Sequence, residues 1–366
     1  MTLSALQLFS PLPLGDLTLS HRIVMAPMTR IRADEGGVHH EIAVEYYGQR
    51  ATSGGLLISE GTFISEEAGG IRNVPGIYTA AQVSAWRTVT SEVHSKGGYI
   101  FCQLWALGRA ASIDVIGPLG YKVVSASNLP LKDGIVPEPL GKDDINRYVE
   151  AYAKAAKNAI EAGFDGVEIH NANGYLLDQF LQTNTNIRND EYGGSIENRS
   201  RFSLEVVKAV TEVIGQERVG VRFSPFNPFQ GMRMEDPYPT FTYIITQIRE
   251  LYPRLGYVHF VEGDATKGDS TDFARKIWSS HDEELARSIF ISCGGYTTEK
   301  AAEVVTEKGG AVAFAKSFIG NPDLVARIQH GLPLAIHDRK TVYLNGPKAY
   351  QGYTDYTPAV LPESKL

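Results

Sequence analysis

Eight short apolar runs recur along the chain, at residues 23–28, 55–59, 99–104, 166–169, 219–223, 257–261, 289–293 and 311–315. Their near-continuous hydrophobic character suits strands of a parallel sheet covered on both faces. Helix-period patterns alternate with them. Val83, Trp86, Val89 and Val93 share one helical face, with Thr79 as the cap and Gly97-Gly98 as the stop. Asp143 or Asp144 caps a second helix that turns Ile145, Tyr148, Tyr152, Ala156 and Ile160 inward and ends at Gly163. Phe202, Val206, Val210 and Ile214 mark a third, and Thr297 or Thr298 opens a fourth. Asn321-Pro322 supplies a cap and first-turn proline for the last, which Gly331 closes.

Eight strands alternating with helices predict an α/β fold of the (β/α)8 barrel type. A length of 366 residues without an internal linker makes residues 1–366 one domain. A doubly wound sheet is the alternative, but no Gly-x-Gly-x-x-Gly follows any of the runs. Ahead of the first run, apolar residues alternate around Gly15-Asp16, the signature of a hairpin over residues 12–19 that plugs one end of the barrel. Residues 109–142 read as a long irregular loop over an active site.

Composition narrows the partners. The net charge of −7 argues against nucleic acid and anionic membrane, and no run approaches the roughly 18 apolar residues of a membrane span. The first sixteen residues lack the basic and apolar segments of a secretory signal. Cys102 and Cys293 lie inside apolar runs, as buried reduced thiols do. The last three residues, Ser364, Lys365 and Leu366, form a peroxisomal address, with the cytoplasm as the alternative location. The expected partner is a small molecule, with a homodimer as the candidate assembly.

In such a barrel the chemistry gathers just past the strand ends. There the sequence delivers Pro27-Met28-Thr29-Arg30, Glu60-Gly61, Gln103 with Trp105, Arg222, Gly294-Gly295 and Lys316. The fourth run leads into His170, Asn173 and Tyr175. His and Asn donate hydrogen bonds, and Tyr carries a proton with a reference pKa of roughly 10. This stretch, HNANGYLLDQFLQTNTNIRNDEYGGSIENRSRF, closely resembles the signature of the old yellow enzyme family of flavin-dependent ene-reductases. HRIVMAPMTRIRAD, LLISEGTFIS, FCQLWALGR, VGVRFSP and FIGNPDL extend the likeness, in order, over nearly the whole chain.

The resemblance implies FMN as cofactor, NADPH as hydride donor and no metal. Pro27, Met28, Thr29, Gly61, Gln103, His170, Arg222, Gly294, Gly295, Ala315 and Lys316 would then surround FMN. The chemistry of a flavin agrees with that lining. An amide such as Gln103 matches its pyrimidine edge, Arg222 stabilises the negative charge of the reduced ring, and Thr29 tunes its electron affinity. Gly294, Gly295 and Lys316 fall where barrels bind phosphate. The resemblance further implies that His170 and Asn173 hold the activating oxygen of an α,β-unsaturated carbonyl compound or nitroalkene. Tyr175 would supply the proton, and Trp105 and Tyr343 would line the substrate pocket.

Thr29, where some relatives have Cys, points to the fungal and plant branch. Three departures stand out: Lys316 where the family usually has Arg, Ile71 where many relatives place Tyr, and an insertion near residues 347–351. Two rival readings are a specialised enal reductase or isomerase of secondary metabolism and a non-enzymatic flavin carrier. NADPH consumption that depends on added enone separates enzyme from carrier.

Overall fold

The computed structural model describes residues 6–279 and 285–361, so the Ser364-Lys365-Leu366 address lies outside the described residues. Eight parallel strands close on themselves: β1 (Ile23–Met25), β2 (Leu56–Ile58), β3 (Tyr99–Trp105), β4 (Gly166–His170), β5 (Val219–Phe223), β6 (Tyr257–Val261), β7 (Ile289–Cys293) and β8 (Ala311–Phe314). Each pairs with the next, and β8 pairs back to β1. A helix follows every strand: α1 (Ile42–Arg50), α2 (Ala80–Ser95), α3 (Lys142–Glu161), α4 (Ile196–Ile214), α5 (Tyr238–Leu251), α6 (Asp272–Trp278), α7 (Thr298–Lys308) and α8 (Leu324–His330). This is the (β/α)8 barrel that the apolar runs predict.

Two apolar compartments hold it together. One lies between strands and helices and buries Trp86, Val89, Phe202 and Val206, among others. The second lies inside the barrel, where Val24, Ile58, Phe101 and Ile291 pack against Leu12, Leu14 and Leu19. Those three leucines come from the antiparallel hairpin Leu12–Leu14 with Leu17–Leu19. The hairpin therefore plugs the barrel. Gly15 at its turn has φ +50° and donates its N–H to Arg287 O at 2.9 Å; a Cβ there would meet Glu217 O at 2.7 Å.

Several element ends differ from expectation. Run one leaves the strand at Met25, so Pro27 to Arg30 lie on a loop. Thr79 caps α2 with a full capping box, and Thr297, not Thr298, caps α7. The cap of α3 is Gly141, neither Asp143 nor Asp144; the Asp144 carboxylate instead accepts the Gly141 N–H at 3.0 Å. Asn321 does not start the last helix. Its side chain is buried, donating to Ser317 O and Ala335 O, and α8 begins only at Leu324. Residues 109–142 carry short helical turns and a two-residue parallel pairing, Val124–Ser125 with Glu138–Pro139.

Residues 347–351, where the resemblance implies an insertion, lie in a C-terminal strap held by the loop after β1. Arg30 and Arg32, just past β1, are buried and reach back to the C-terminal strap. Arg32 donates to Thr341 O, Val342 O, Ala349 O and Gln351 O, and Arg30 to Gly352 O and Val342 O. Tyr353 stacks on Tyr46 of α1 with ring centroids 4.0 Å apart and planes 2° from parallel. Both arginines lie over these rings. Backbone carbonyls and aromatic faces thus accept buried cations that have few carboxylates nearby.

Candidate active site

A cleft of about 530 Å³ opens at the C-terminal mouth of the barrel. Pro27, Met28 and Thr29 line it from the β1 loop, Trp105 from the end of β3, and Tyr175 from the loop after β4. Ala315 and Lys316 follow β8, and Tyr343 comes from the C-terminal strap. Its size falls within the roughly 300–1,000 Å³ of small-molecule sites. Eight expected residues therefore share one cleft. His170 lies against its wall: its ring centroid is 5.0 Å from that of Tyr175 and 6.1 Å from that of Trp105. Trp105 meets Tyr175 edge-on at 4.7 Å, and Gly61 keeps the space that Trp105 fills, since a Cβ there would stand 2.4 Å from its ring.

The protonation states follow from burial. Desolvation, with Arg222 and His259 nearby, pushes the His170 imidazole well below its ordinary pKa, so it is neutral at physiological pH. Its Nδ1 is buried without a hydrogen-bond partner. Burial pushes the Tyr175 phenol up to about 12, so it keeps its proton across the physiological range. Asn173 has a positive φ of 58° and is pinned on three sides. Its N–H donates to Ser224 Oγ at 2.7 Å, its carbonyl accepts from Gln230 Nε2 at 3.0 Å, and its Oδ1 accepts from Asn227 Nδ2 at 2.8 Å. With Oδ1 committed, the amide is left with Nδ2 as a donor.

Beneath the mouth lies a polar layer in which the expected Gln103 and Arg222 are joined by Glu168 and His259, which the sequence did not announce. Strand register sets Gln103 beside Glu168, and Arg222 between His170 and His259. Glu168 is fully buried, accepting from Gln103 Nε2 at 2.7 Å and facing His259 Nδ1 at 2.7 Å. Burial opposes both charges, but each holds the other ionised: the Glu168 carboxyl stays low and the His259 imidazole is raised. Arg222 Nη2 donates to Cys293 Sγ at 3.3 Å, and its Nε has no partner. Burial alone would raise the Cys293 thiol; Arg222 and His259 bring it down to about 7. Both cysteines are free and buried. The available signal was a charged residue inside an apolar run, Glu168 in Gly-Val-Glu-Ile-His.

Not every expected residue meets the cleft. Gly294 and Gly295 line a separate depression with Glu262, Tyr296 and Lys300. Both have positive φ, 127° and 71°, which favours glycine there. Conversely, Ile31, Phe229, His337, Arg339 and Val342 enter the cleft unannounced. Among the described residues no cluster of His, Cys, Asp or Glu could hold a metal ion, and no helix is long and apolar enough to cross a membrane.

Residues 7–335 match the NADH:flavin oxidoreductase / NADH oxidase family. The chain belongs to that family. Two solved structures place this flavin oxidoreductase among the old yellow enzymes. An old yellow enzyme homologue from Zymomonas mobilis superposes with a TM-score of 0.88 at 38% identity, covering 96% of this chain and 99% of that one. Morphinone reductase gives 0.86 at 41% identity, with 96% of each chain covered. Chanoclavine-I aldehyde reductase of Penicillium roqueforti is 46% identical over 357 residues, with 96% of each chain covered. A probable inactive dehydrogenase of Claviceps fusiformis is 42% identical over 374 residues, covering 97% of this chain and 95% of that one.

The oxidoreductase's own residues suit a flavin. Arg222 offers a buried Nε without partner beside the cleft, and Gln103, its Nε2 committed to Glu168, presents an amide acceptor. Lys316 adds a cation at the rim. Glu60, at the same mouth, gives a pH test of the scaffold. Burial raises its carboxyl to about 7, against the hydrogen bond it accepts from the Arg30 N–H at 3.0 Å. Its Oε1 lies 3.6 Å from His39 Nε2, and neither atom has a partner within hydrogen-bond range. An acid with a raised folded pKa binds its proton more tightly when folded, so stability should fall as pH rises from about 4.5 to about 7 and stay lower above it. Glu60→Gln keeps an acceptor for Arg30 and removes the charge. Urea unfolding should show the variant gaining, relative to the parent, on the order of 3 kcal/mol between pH 4 and pH 8. A constant difference across that range would show that Glu60 titrates normally.

Proposed function

We propose that this protein is an FMN-dependent ene-reductase that reduces the C=C bond of α,β-unsaturated carbonyl compounds with NADPH. The observation that carries the reading is the contact of neutral His170 with protonated Tyr175 in a cleft walled by Trp105. FMN bound in the cleft would supply the hydride-transfer chemistry. Thr29, Gln103 and Arg222 would hold the ring, and the Arg222 guanidinium would offset negative charge on it. His170 and Asn173 donate hydrogen bonds to the substrate oxygen, drawing electrons from the alkene. A neutral imidazole suits that task, because it donates without adding a buried cation beside Arg222. Tyr175 gives its phenolic proton to the α-carbon.

The activated carbonyl is required because an isolated alkene is too electron-rich to accept hydride. NADPH oxidation measured against cyclic enones, enals and nitroalkenes, with product identification, tests this function. Enone-dependent NADPH loss with a saturated product is the expected result; a protein that yields no FMN on denaturation and cannot be reconstituted with it would overturn it. The specialised enal-reductase reading gains support from the aldehyde reductase at 46% identity, and a strong preference for one enal in the same panel would favour it.

Lys316 carries a separate prediction. It opens the short Lys316–Gly320 helix at the cleft rim, where a phosphate would gain a charge-assisted hydrogen bond. Lys316→Ala should raise the FMN dissociation constant about tenfold or more, since such bonds contribute roughly 1.5–3 kcal/mol. Lys316→Arg should retain FMN at least as tightly, through its bidentate fork. Equal FMN affinity in all three proteins would remove Lys316 from the phosphate site.

A further inference from the structure

A second cleft of about 500 Å³ adjoins the first, and Ile71 lines both. The partition between them is a firmly held turn. Gly70 O accepts from Ser112 N–H at 3.1 Å, and Gly70 has φ +131°, with room for no side chain: a Cβ would meet Ala111 Cβ at 2.6 Å. Asn73 exchanges two hydrogen bonds with Ala33, one from Ala33 N–H at 3.0 Å and one to Ala33 O at 2.9 Å. Its Oδ1 also accepts from Asn345 Nδ2 of the strap at 3.1 Å. One apolar cluster underlies both clefts, with Trp105 and Tyr175 packed on the same group as Phe63, Val74 and Tyr78.

The two clefts differ in charge. Lys316 and Arg339 line the first. Three carboxylates, Glu35, Glu66 and Asp114, line the second against one guanidinium, Arg72. Leu119, 53% exposed, extends its apolar floor to the rim.

We propose that the second cleft is a subsite for the tail of an extended substrate: an enal or enone whose apolar chain crosses Ile71 and ends in a cationic group. This rests on the ene-reductase reading of the main cleft, which holds the carbonyl head. The side chain at Ile71 is an aliphatic saddle over which a chain passes while staying in contact with carbon on both sides. A carboxylate at the far end meets three like charges, whereas an ammonium meets opposite ones, so the long-chain substrates selected are basic or neutral and not acidic.

The test uses the FMN-loaded protein and reads dissociation constants from the change in flavin absorbance, without reductant. The probes are hex-2-enal, dodec-2-enal, and twelve-carbon 2-enals ending in trimethylammonium or in carboxylate. A fully buried methylene strengthens binding up to about fourfold, so six more carbons, partly buried, should tighten binding at least tenfold. Val115→Trp fills the second cleft alone; it should abolish that gain and leave hex-2-enal binding unchanged. The trimethylammonium chain should bind at least fivefold tighter than the carboxylate at low salt, with the gap closing as salt is added and also in Glu35→Lys, which leaves two cations against two carboxylates.

Equal affinity for both chain lengths, or a chain-length gain that survives Val115→Trp, overturns the subsite. Equal affinity for both charged ends overturns its charge preference. Hex-2-enal turnover with NADPH is scored separately. If hex-2-enal is reduced but chain length has no effect, the subsite fails and the ene-reductase reading stands. If no enal is reduced, that reading fails, while the binding series still decides the subsite.

Discussion

Tyr175→Phe should slow oxidation of the reduced protein by an enone by about 10²–10⁴, while its reduction by NADPH stays near the parental rate. In the proposed mechanism the phenol supplies only a proton at the α-carbon. It lies in the cleft with its pKa pushed up to about 12 by burial, so it is a proton store at any pH the enzyme meets. Oxygen should still reoxidise the variant, because that reaction takes no proton from this residue. Nitroalkenes sharpen the test: their nitronate is stable enough to leave unprotonated, so the Phe variant should reduce them and release nitronate. Stopped-flow measurement of the two half-reactions separates the cases. Parental enone rates in Tyr175→Phe would show that another acid, such as Tyr343 or water, protonates the product.

Arg32→Met should cost on the order of 3 kcal/mol of stability, because several buried carbonyls lose their donor and each acceptor left unsatisfied costs about 1–3 kcal/mol. The guanidinium donates to five backbone carbonyls, four on the strap and one at Arg30, and methionine replaces none of these bonds. The strap carries Tyr343 and Val342 into the cleft, so the variant should also bind substrate more weakly. Limited proteolysis should cut first within residues 337–352. Denaturant midpoints and the cleavage map check both parts; parental stability with an intact strap would show that Arg30, with Arg50 donating to Tyr353 O at 3.3 Å, suffices.

The barrel was legible because the strands are mostly apolar on both faces and α2, α3, α4 and α7 keep a helical period, a signal that local sequence carries unaided; α1, α5 and α6 had no such reading. Helix starts were less so. Asp144 has the chemistry of a cap yet serves as the third residue of a capping box, a choice set by backbone geometry and not by residue type. Thr29, Trp105, His170 and Tyr175 were legible as site residues because a barrel brings the ends of its strands to one mouth. The strap residues His337, Arg339 and Val342 were not. They follow no strand, and the contacts that bring them in span some 310 residues, from Arg30 and Arg32 to a segment with no periodic pattern. Glu168 and His259 escaped for another reason. Each sits within a strand, and only parallel pairing across β4, β5 and β6 shows that they face one another.

The strap also sets an order of events during synthesis. All eight strands are complete by Phe314, whereas the carbonyls that receive Arg30 and Arg32 arrive with residues 341–352. At translation rates of about 5–20 residues per second, that interval lasts roughly 2–8 s. Until those residues are made, Arg30 and Arg32 lack their main acceptors and the cleft lacks the wall that Val342 and Tyr343 supply. The loop after β1 therefore reaches its final contacts, and the cleft its full lining, only once the strap has been made.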